Sequence, residues 1–462
     1  MTTLTNGPAL SKQIFPVRFP EDVRPIKNFR VSAYSLSWEP VGRPRSFPGD
    51  DAETNPQREH LLMLRYMTSG ESHGPQLTAV ISGLPAGLPI RADDVNRELR
   101  RRQGGYGRGG RMQIETDVAR FVSGVRHGCA MGSPITMVVE NRDWNNWREI
   151  MSPDPRPAGE DPLKRAITRP RPGHADLNGL QKFDHMDARN ILERASARAT
   201  TTQVALGALC KALLSQFDIR VISHVIELGG IRSRIDGLDL ETIAQRAEQS
   251  PLRMADPTVE DEVKALIDHC KKEGDTLGGV FEVVVTGLPP GLGNVMNWDE
   301  KLDGRIGQAL MSMQAIKGVE IGLGFELARR PGSQAHDPIY FSPDPADLPP
   351  GHGPTGGFYR KTNRAGGLEG GMTNGAPLIV RCAKKPIATL MRPIDSVDYH
   401  TRQPVNSSKE RSDVCAVPAA SVIGEALVAY ILAAAFLEKF GGDSIEQVRG
   451  AYDAYVRRLA DR

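Results

Sequence analysis

Cysteine is scarce in this chain: Cys129, Cys210, Cys270, Cys382 and Cys415 are odd in number, with no Cys-x-x-Cys spacing among 462 residues. That excludes a disulfide framework or a cysteine zinc centre as the organising device, and it predicts a reducing, cytoplasmic setting. An excess of either charge is also missing. The 58 Lys+Arg against 56 Asp+Glu leave +2, so the whole chain gives no case for a nucleic-acid or membrane-surface protein. No basic patch followed by an apolar core opens the sequence, so no secretory signal is expected. The Walker A loop, the Gly-x-Gly-x-x-Gly strand–helix turn, the Gly-x-Ser-x-Gly elbow and His-Glu-x-x-His are all absent, leaving the chemistries they serve without support. The longest apolar stretch, Val414 to Leu437, is broken by Pro418 and Glu425 and followed by Gly441-Gly442. A buried helix fits it better than a membrane span.

What is present is enough apolar sequence, 39%, for a large core. Residues 1–62 are rich in Pro, Asn, Ser and charge without a period of 2 or 3.6, and read as a poorly ordered extension. Patterned sequence begins at Met63-Leu64-Arg65-Tyr66, which makes Met63 a candidate start. From there an approximate duplication runs through the chain. The segment 70–88 aligns without gaps on 274–292 with eight of nineteen positions identical, each copy a Gly turn, a β-rich run and Gly-Leu-Pro-x-Gly. A second match follows in the same order: Gly124, Gly128, Gly132 and Pro134 on Gly367, Gly371, Gly375 and Pro377. These predict one α+β domain over 63–462, built from two related halves (about 63–220 and 221–462), with antiparallel sheets. The spacing Leu192, Ala195, Ala199, Thr202, Leu206, Leu209, Leu213 predicts a helix from Asp187 to Gln216, small enough in its first half for a backbone or flat ligand to approach. Two Pro- and Gly-rich stretches, 142–172 and 330–365, read as long functional loops.

Several residues could carry chemistry. Between Arg91 and Arg111 stand seven Arg and three acids. Asp93 or Asp94 can cap a short helix with Val95 and Leu99 on its buried face, placing Arg102 near its end and Arg108 and Arg111 on a Gly-rich loop. Two-pronged anion binding, a solvated charged helix and an Arg-Gly nucleic-acid contact all fit this tract. His73 lies in Gly-Glu-Ser-His-Gly, and its repeat counterpart is Leu277. The repeat therefore folds without a histidine there, which favours a functional imidazole. His174 follows Arg-Pro-Gly and could cap a turn or move a proton. Arg194 and Arg198, four apart, should share a helix face with Ser196 on the same turn. Arg411 and Asp413 precede the apolar helix, and Lys385 to Thr389 form a strand-end loop with a cation and a hydroxyl.

Six of these motifs occur in one order: Gly-Glu-Ser-His-Gly (70–74), Arg-Arg-Gln-Gly-Gly-Tyr-Gly-Arg (101–108), Arg-Pro-Gly-His-Ala-Asp (171–176), Arg-Ala-Ser-Ala-Arg (194–198), Lys-Gly-Val-Glu-Ile-Gly (317–322) and Arg-Ser-Asp-Val-Cys-Ala-Val-Pro (411–418). The set resembles the chorismate synthase family from about residue 63 to 440. The resemblance implies two antiparallel sheets sandwiching central helices and a homotetramer. It implies a lyase that removes phosphate from 5-enolpyruvylshikimate 3-phosphate by 1,4-elimination, without net redox change yet with reduced FMN. No separate reductase domain is visible and residues 1–62 are too short and unpatterned to be one, so an external flavin reductase, with NADPH as ultimate reductant, is the expected partner; nucleic acid and membrane are not.

By resemblance, His73 protonates the departing phosphate, His174 protonates or stabilises the reduced flavin near N1, and Asp413 assists flavin N5 in taking the C6 proton. Ser72, Arg102, Arg108, Arg111, Arg171, Arg198 and Arg411 match substrate positions. Arg194, Ala195, Ser196, Gln314, Ala315, Gly370, Lys385, Pro386, Ile387, Ala388, Thr389 and again Arg411 match FMN positions; no metal is implied. Two departures fall near the flavin positions: Ala199 stands where the family usually has Glu, and Gln314 where Asn is common.

Overall fold

A computed structural model describes residues 64–109, 115–156, 159, 165–410 and 412–461. The readings made above for residues 1–62, Arg111 and Arg411 lie outside the described residues.

The first sheet is built from β1 (Arg65–Ser69), β2 (Gln76–Ser82), β3 (Arg120–Ser123) and β4 (Ile135–Glu140), in the spatial order β1-β2-β4-β3. The second holds β5 (Arg220–Leu228), β6 (Ile231–Arg232), β7 (Gly279–Thr286), β8 (Ile316–Ile321) and β9 (Leu378–Lys384), ordered β8-β9-β7-β5-β6. Every pairing in both is antiparallel. Alternation explains their orientation: Leu77, Ala79 and Ile81 of β2 are buried, as are Leu378, Val380, Cys382 and Lys384 of β9.

The aligned repeats occupy matching places. β2 pairs with β4 as Gln76↔Glu140 through Ile81↔Ile135, and β7 pairs with β9 as Val280↔Ala383 through Val285↔Leu378. Position by position these are the aligned residues, in the same register. Gly70 and Gly274, and Gly83 and Gly287, sit at positive φ in both copies, which explains why glycine recurs at those turns.

The helices that position the site are α1 (Ala92–Gln103), α2 (Asp176–Phe183), α3 (Arg189–Ala195), α4 (Thr200–Ser215) and α5 (Val417–Phe440). α4 packs on β2 and β4, α5 packs on β5 and β7, and the two helices pack on each other. At their crossing a Cβ on Gly207 would lie 2.3 Å from the Ala426 Cβ and 2.4 Å from its Cα, so only glycine admits this approach. α5 is long and apolar enough to span a bilayer, but 94% of its most apolar window is buried inside the protein. Its Pro418 falls in the first turn, where no backbone donor is needed. Its Glu425 is fully buried yet bonded by Arg101 (2.8 Å), Lys211 (2.7 Å) and Ser223 (2.6 Å), as a charge inside a core must be.

Two helix expectations need correction. The 187–216 stripe is not one helix. α3 ends at Ala195, Ser196 turns extended (φ −59°, ψ 141°), and a single 3-10 turn over Ala197–Ala199 leads into α4. The Ser196 hydroxyl accepts from the Arg198 N–H at 3.2 Å, offering the backbone an alternative to helical bonding. Arg194 and Arg198 therefore do not share a face. In α1 the cap position is Arg91, with no side-chain cap; Asp93 and Asp94 sit in the first turn, where they complement the helix dipole.

Candidate active site

A cavity of about 570 Å³ opens where α4 and α5 begin. Ser196, Arg198 and Thr200 enter it from the start of α4, and Ala416, Ala419, Ala420 and Ile423 from the start of α5. Helix starts present unpaired N–H groups and partial positive charge, so both ends favour an anion. The walls add Arg102, Arg108, Arg171, Arg198, Lys317, Lys384 and Lys385 against the carboxylates of Glu410 and Asp413.

His73 sits at one side, in the turn between β1 and β2. Its backbone N–H donates to Glu193 Oε2 at 2.8 Å, and its Nδ1 lies 2.9 Å from Glu193 Oε1. An ionised carboxylate can only accept, so Nδ1 carries the hydrogen in this pair and the second proton site is Nε2. The ring stacks on Trp147, centroids 3.8 Å apart, which fixes its plane. Burial would raise the Glu193 carboxyl, but the hydrogen bonds from His73 and the charge of Arg189 outweigh it and hold it below its ordinary value. Ser72 bonds Ser196 at 3.1 Å and, through its backbone N–H, the Glu193 carbonyl at 3.0 Å. The loop from 70 to 74 is thereby tied to α3.

His174 lies in the turn before α2. Its Nδ1 is 2.6 Å from Asp176 Oδ1, while Arg171 donates through Nε to Asp176 Oδ2 at 2.8 Å and through Nη1 to Thr389 Oγ1 at 2.8 Å. Asp176 is fully buried and thus orients both an imidazole and a guanidinium. Burial pushes its carboxyl up, yet the His174 and Arg171 hydrogen bonds and charges hold it well below the usual carboxylate range.

The remaining guanidiniums converge. Arg102 donates to Thr200 Oγ1 at 2.9 Å and to the Ala197 carbonyl at 2.9 Å, and pairs with Asp117 at 3.3 Å. Arg198 bonds Asn141 at 2.9 Å and also Asp117; its buried Nη2 has no hydrogen-bond partner among the described residues and lies 3.6 Å from Glu115 Oε2. Burial presses Arg102 below the usual guanidinium range; Asp117 opposes this, and Arg108 and Arg198 add repulsion. An anion entering the cavity would relieve that strain. Asp413 accepts from the Gly109 N–H at 2.6 Å and pairs with Arg108 at 3.1 Å.

Of the positions matched to the cofactor, Ala195, Ser196, Gln314, Ala315, Lys385, Ile387, Ala388 and Thr389 line the cavity. Lys385 is anchored by Nζ on the Gly173 carbonyl at 2.5 Å and by its N–H on the Ala315 carbonyl at 2.9 Å. Gln314 keeps a buried Oε1 without a hydrogen-bond partner among the described residues, an acceptor suited to a ligand N–H. Arg194, Pro386 and Gly370 are not on the wall: Arg194 bonds Thr68 and the Gly70 carbonyl, and Gly370 lies in the turn between Leu368–Glu369 and Met372–Thr373. The sequence reading missed Glu193, Asp176, Asp117, Asn141, Trp147 and Lys384. Asp176 stood inside the Arg-Pro-Gly-His-Ala-Asp motif, where an acid two residues from a histidine was the available signal; Glu193 stood beside Arg-Ala-Ser-Ala-Arg, with no histidine near it in sequence.

A family model described as chorismate synthase matches residues 64–437. The chain is 56% identical over 397 residues to a chorismate synthase of Geobacter metallireducens, covering 86% of this chain and 99% of that one. It is 53% identical over 393 residues to that of Enterococcus faecalis, covering 85% and 98%. A solved structure titled as a crystal structure of chorismate synthase superposes with a TM-score of 0.68 at 41% identity, covering 86% of this chain and 99% of that chain. By sequence and by fold, the chain belongs to the chorismate synthase family.

Proposed function

We propose that this cavity carries out the family's 1,4-elimination, releasing phosphate from 5-enolpyruvylshikimate 3-phosphate to form chorismate on the way to aromatic amino acids. The observation that carries the reading is the meeting, in one 570 Å³ space, of His73 and His174 with Arg102, Arg108, Arg171 and Arg198 at the starts of two central helices. The substrate bears two carboxylates and a phosphate, and planar guanidiniums bind such groups with two parallel hydrogen bonds. The volume falls within the range of about 300–1,000 Å³ of small-molecule sites.

His73 donates a proton to the departing phosphate from Nε2, since Glu193 occupies Nδ1. Ser72, Arg102, Arg108, Arg171 and Arg198 hold the substrate's anionic groups, with Arg111 and Arg411 assigned the same task by the resemblance. Asp413, fixed by Gly109 and Arg108, assists removal of the C6 proton. His174, oriented by Asp176, holds a proton toward the flavin N1. Gln314, Ala315, Ala195, Ser196, Lys385, Ile387, Ala388 and Thr389 would hold reduced FMN: the alanines leave room for a flat ring, and Gln314 Oε1 offers the acceptor that a ring N–H needs. When bound, reduced FMN supplies transient electron density to the breaking C–O bond.

The equal registers of β2–β4 and β7–β9 support a duplicated fold, two related halves whose antiparallel sheets enclose α4 and α5. We assign the assembly as a homotetramer, for which exposed Ile339, Phe341 and Phe358 offer apolar contact surface. The flavin is reduced by an external reductase, with NADPH as ultimate electron source. The test is anaerobic phosphate release with added reduced FMN, for the full chain and for one starting at Met63. Turnover by both supports the reading; none by either refutes it.

A further inference from the structure

Lys384 closes β9. The alternation along that strand turns it inward with Leu378, Val380 and Cys382, and only 8% of it is exposed. It lines the cavity, yet among the described residues its ammonium has no hydrogen-bond or ion-pair partner. Its ammonium therefore stands at the cavity wall ready for an anionic ligand, while the rest of the side chain is packed in the protein. Burial presses it below its ordinary value; Cys415 and Asp413 pull the other way, and Arg108 and Lys385 add repulsion.

The aligned halves show that the fold itself does not ask for this lysine. Lys384 pairs across the sheet with Gly279, and the aligned position in the first half is Asn141, whose N–H donates to the Pro75 carbonyl. Asn141 is wholly engaged in structure. Its Nδ2 donates to the carbonyls of Glu71 (3.2 Å) and Gly74 (2.7 Å), and its Oδ1 accepts from Arg198 at 2.9 Å. Lys384 lines the cavity and makes none of these bonds. The position that braces a loop in one half holds a cation without a hydrogen bond at the cavity wall in the other.

We propose that Lys384 is a cofactor-positioning residue whose ammonium supplies the counter-charge for the anionic ring of a reduced flavin. This rests on the reading of the cavity as a flavin site given above. Two features select the flavin over the substrate's anions. Lys384 directly precedes the Lys385 to Thr389 segment on the cofactor side, and it shares its surroundings with Asp413, the group assigned to work beside flavin N5. A reduced flavin that loses its N1 proton carries one negative charge, whereas the oxidised ring is neutral. A fixed cation therefore distinguishes the two redox forms, which an apolar residue of the same length cannot do.

The experiment compares wild type, Lys384→Met and Lys384→Arg by anaerobic titration with oxidised and reduced FMN, a measured midpoint potential of bound FMN, and the melting temperature without ligand. Lys384→Met should weaken reduced FMN at least tenfold more than oxidised FMN. By the two-electron relation this lowers the bound potential by about 30 mV per tenfold. Lys384→Arg should restore most of the difference. The ligand-free melting temperature of Lys384→Met should stay at or above that of wild type, since the ammonium makes no hydrogen bond or ion pair among the described residues. Equal weakening of both redox forms, or a lower melting temperature with an unchanged ratio, overturns the proposal. So does a weaker hold on the phosphate substrate with the flavin ratio intact. If wild type itself binds no reduced FMN, the flavin site is refuted, and that result is visible before any variant is compared.

Discussion

Glu193 grips His73 at two points, accepting from its backbone N–H at 2.8 Å and from its ring Nδ1 at 2.9 Å. One carboxylate thus fixes both where the imidazole sits and which ring nitrogen, Nε2, is left for the proton transfer proposed above. Arg189 pairs with the same carboxylate at 3.3 Å, so the dyad stays anchored when the ring changes charge.

Replacing His73 by Ala should lower the phosphate-release rate about 10³-fold, and Glu193→Gln about 10²-fold, within the span expected for a positioned proton donor. Stopped-flow assays with reduced FMN and a far-UV spectrum of each variant check this. Near-normal turnover by folded His73→Ala would remove the assigned role. A merely structural Glu193 would leave the pH–rate profile of Glu193→Gln unshifted.

Acid stability should depend on Asp176 and Glu193. Both carboxyls are held below their ordinary values in the folded protein, so their contribution is complete above the unfolded value of about 4 and is lost as pH falls through the lower folded values. Asp176→Asn should cost about 3 kcal/mol at pH 7, as expected when a buried pair loses one partner, and flatten the decline below pH 4. Urea unfolding at several pH values measures both. An unchanged acid limb would show that Asp176 does not carry it.

Gly207→Ala should destabilise the protein by about 1–3 kcal/mol through overpacking. Adding Ala426→Gly should not rescue it, because the new Cβ still meets the Ala426 backbone Cα at 2.4 Å. Thermal melts of the single and double variants decide this, and full rescue would mean that the helices part easily.

Arg108→Ala should raise the Kd for the phosphate substrate at least tenfold, about 1.4 kcal/mol, and reduce the salt dependence of binding. It should also release Asp413, whose ion-pair partner is Arg108 at 3.1 Å, so kcat falls along with affinity. Calorimetric titration across a salt series tests the first effect. Unchanged affinity would place the substrate's anions elsewhere.

The sequence already contained the strand pairings in coded form. Aligning Gly70 to Leu88 on Gly274 to Leu292, and Pro134 on Pro377, matches the strands that the structure pairs in equal register, because turns that need glycine and strands that need a buried face leave local marks. The helix stripe from Leu192 to Leu213 was equally legible, but its break was not. Periodicity counts apolar positions and is blind to a serine whose hydroxyl competes for the backbone, as Ser196 does.

Sequence alone marked residues that the structure brings to one cavity: the two histidines, Arg102, Arg108, Arg171, Arg198 and most of the Lys385 segment stand in short motifs whose spacing is local. Only the tertiary structure decided which carboxylates govern them. Glu193 lies 120 positions from His73, and Asp413 lies 304 from Gly109. The start of α4 comes beside that of α5 only in the folded chain, where α4 packs on β2 and β4 and α5 on β5 and β7. Such partners are chosen by burial, since a charge removed from water must find its counter-charge in space, and distance along the chain has no part in that choice.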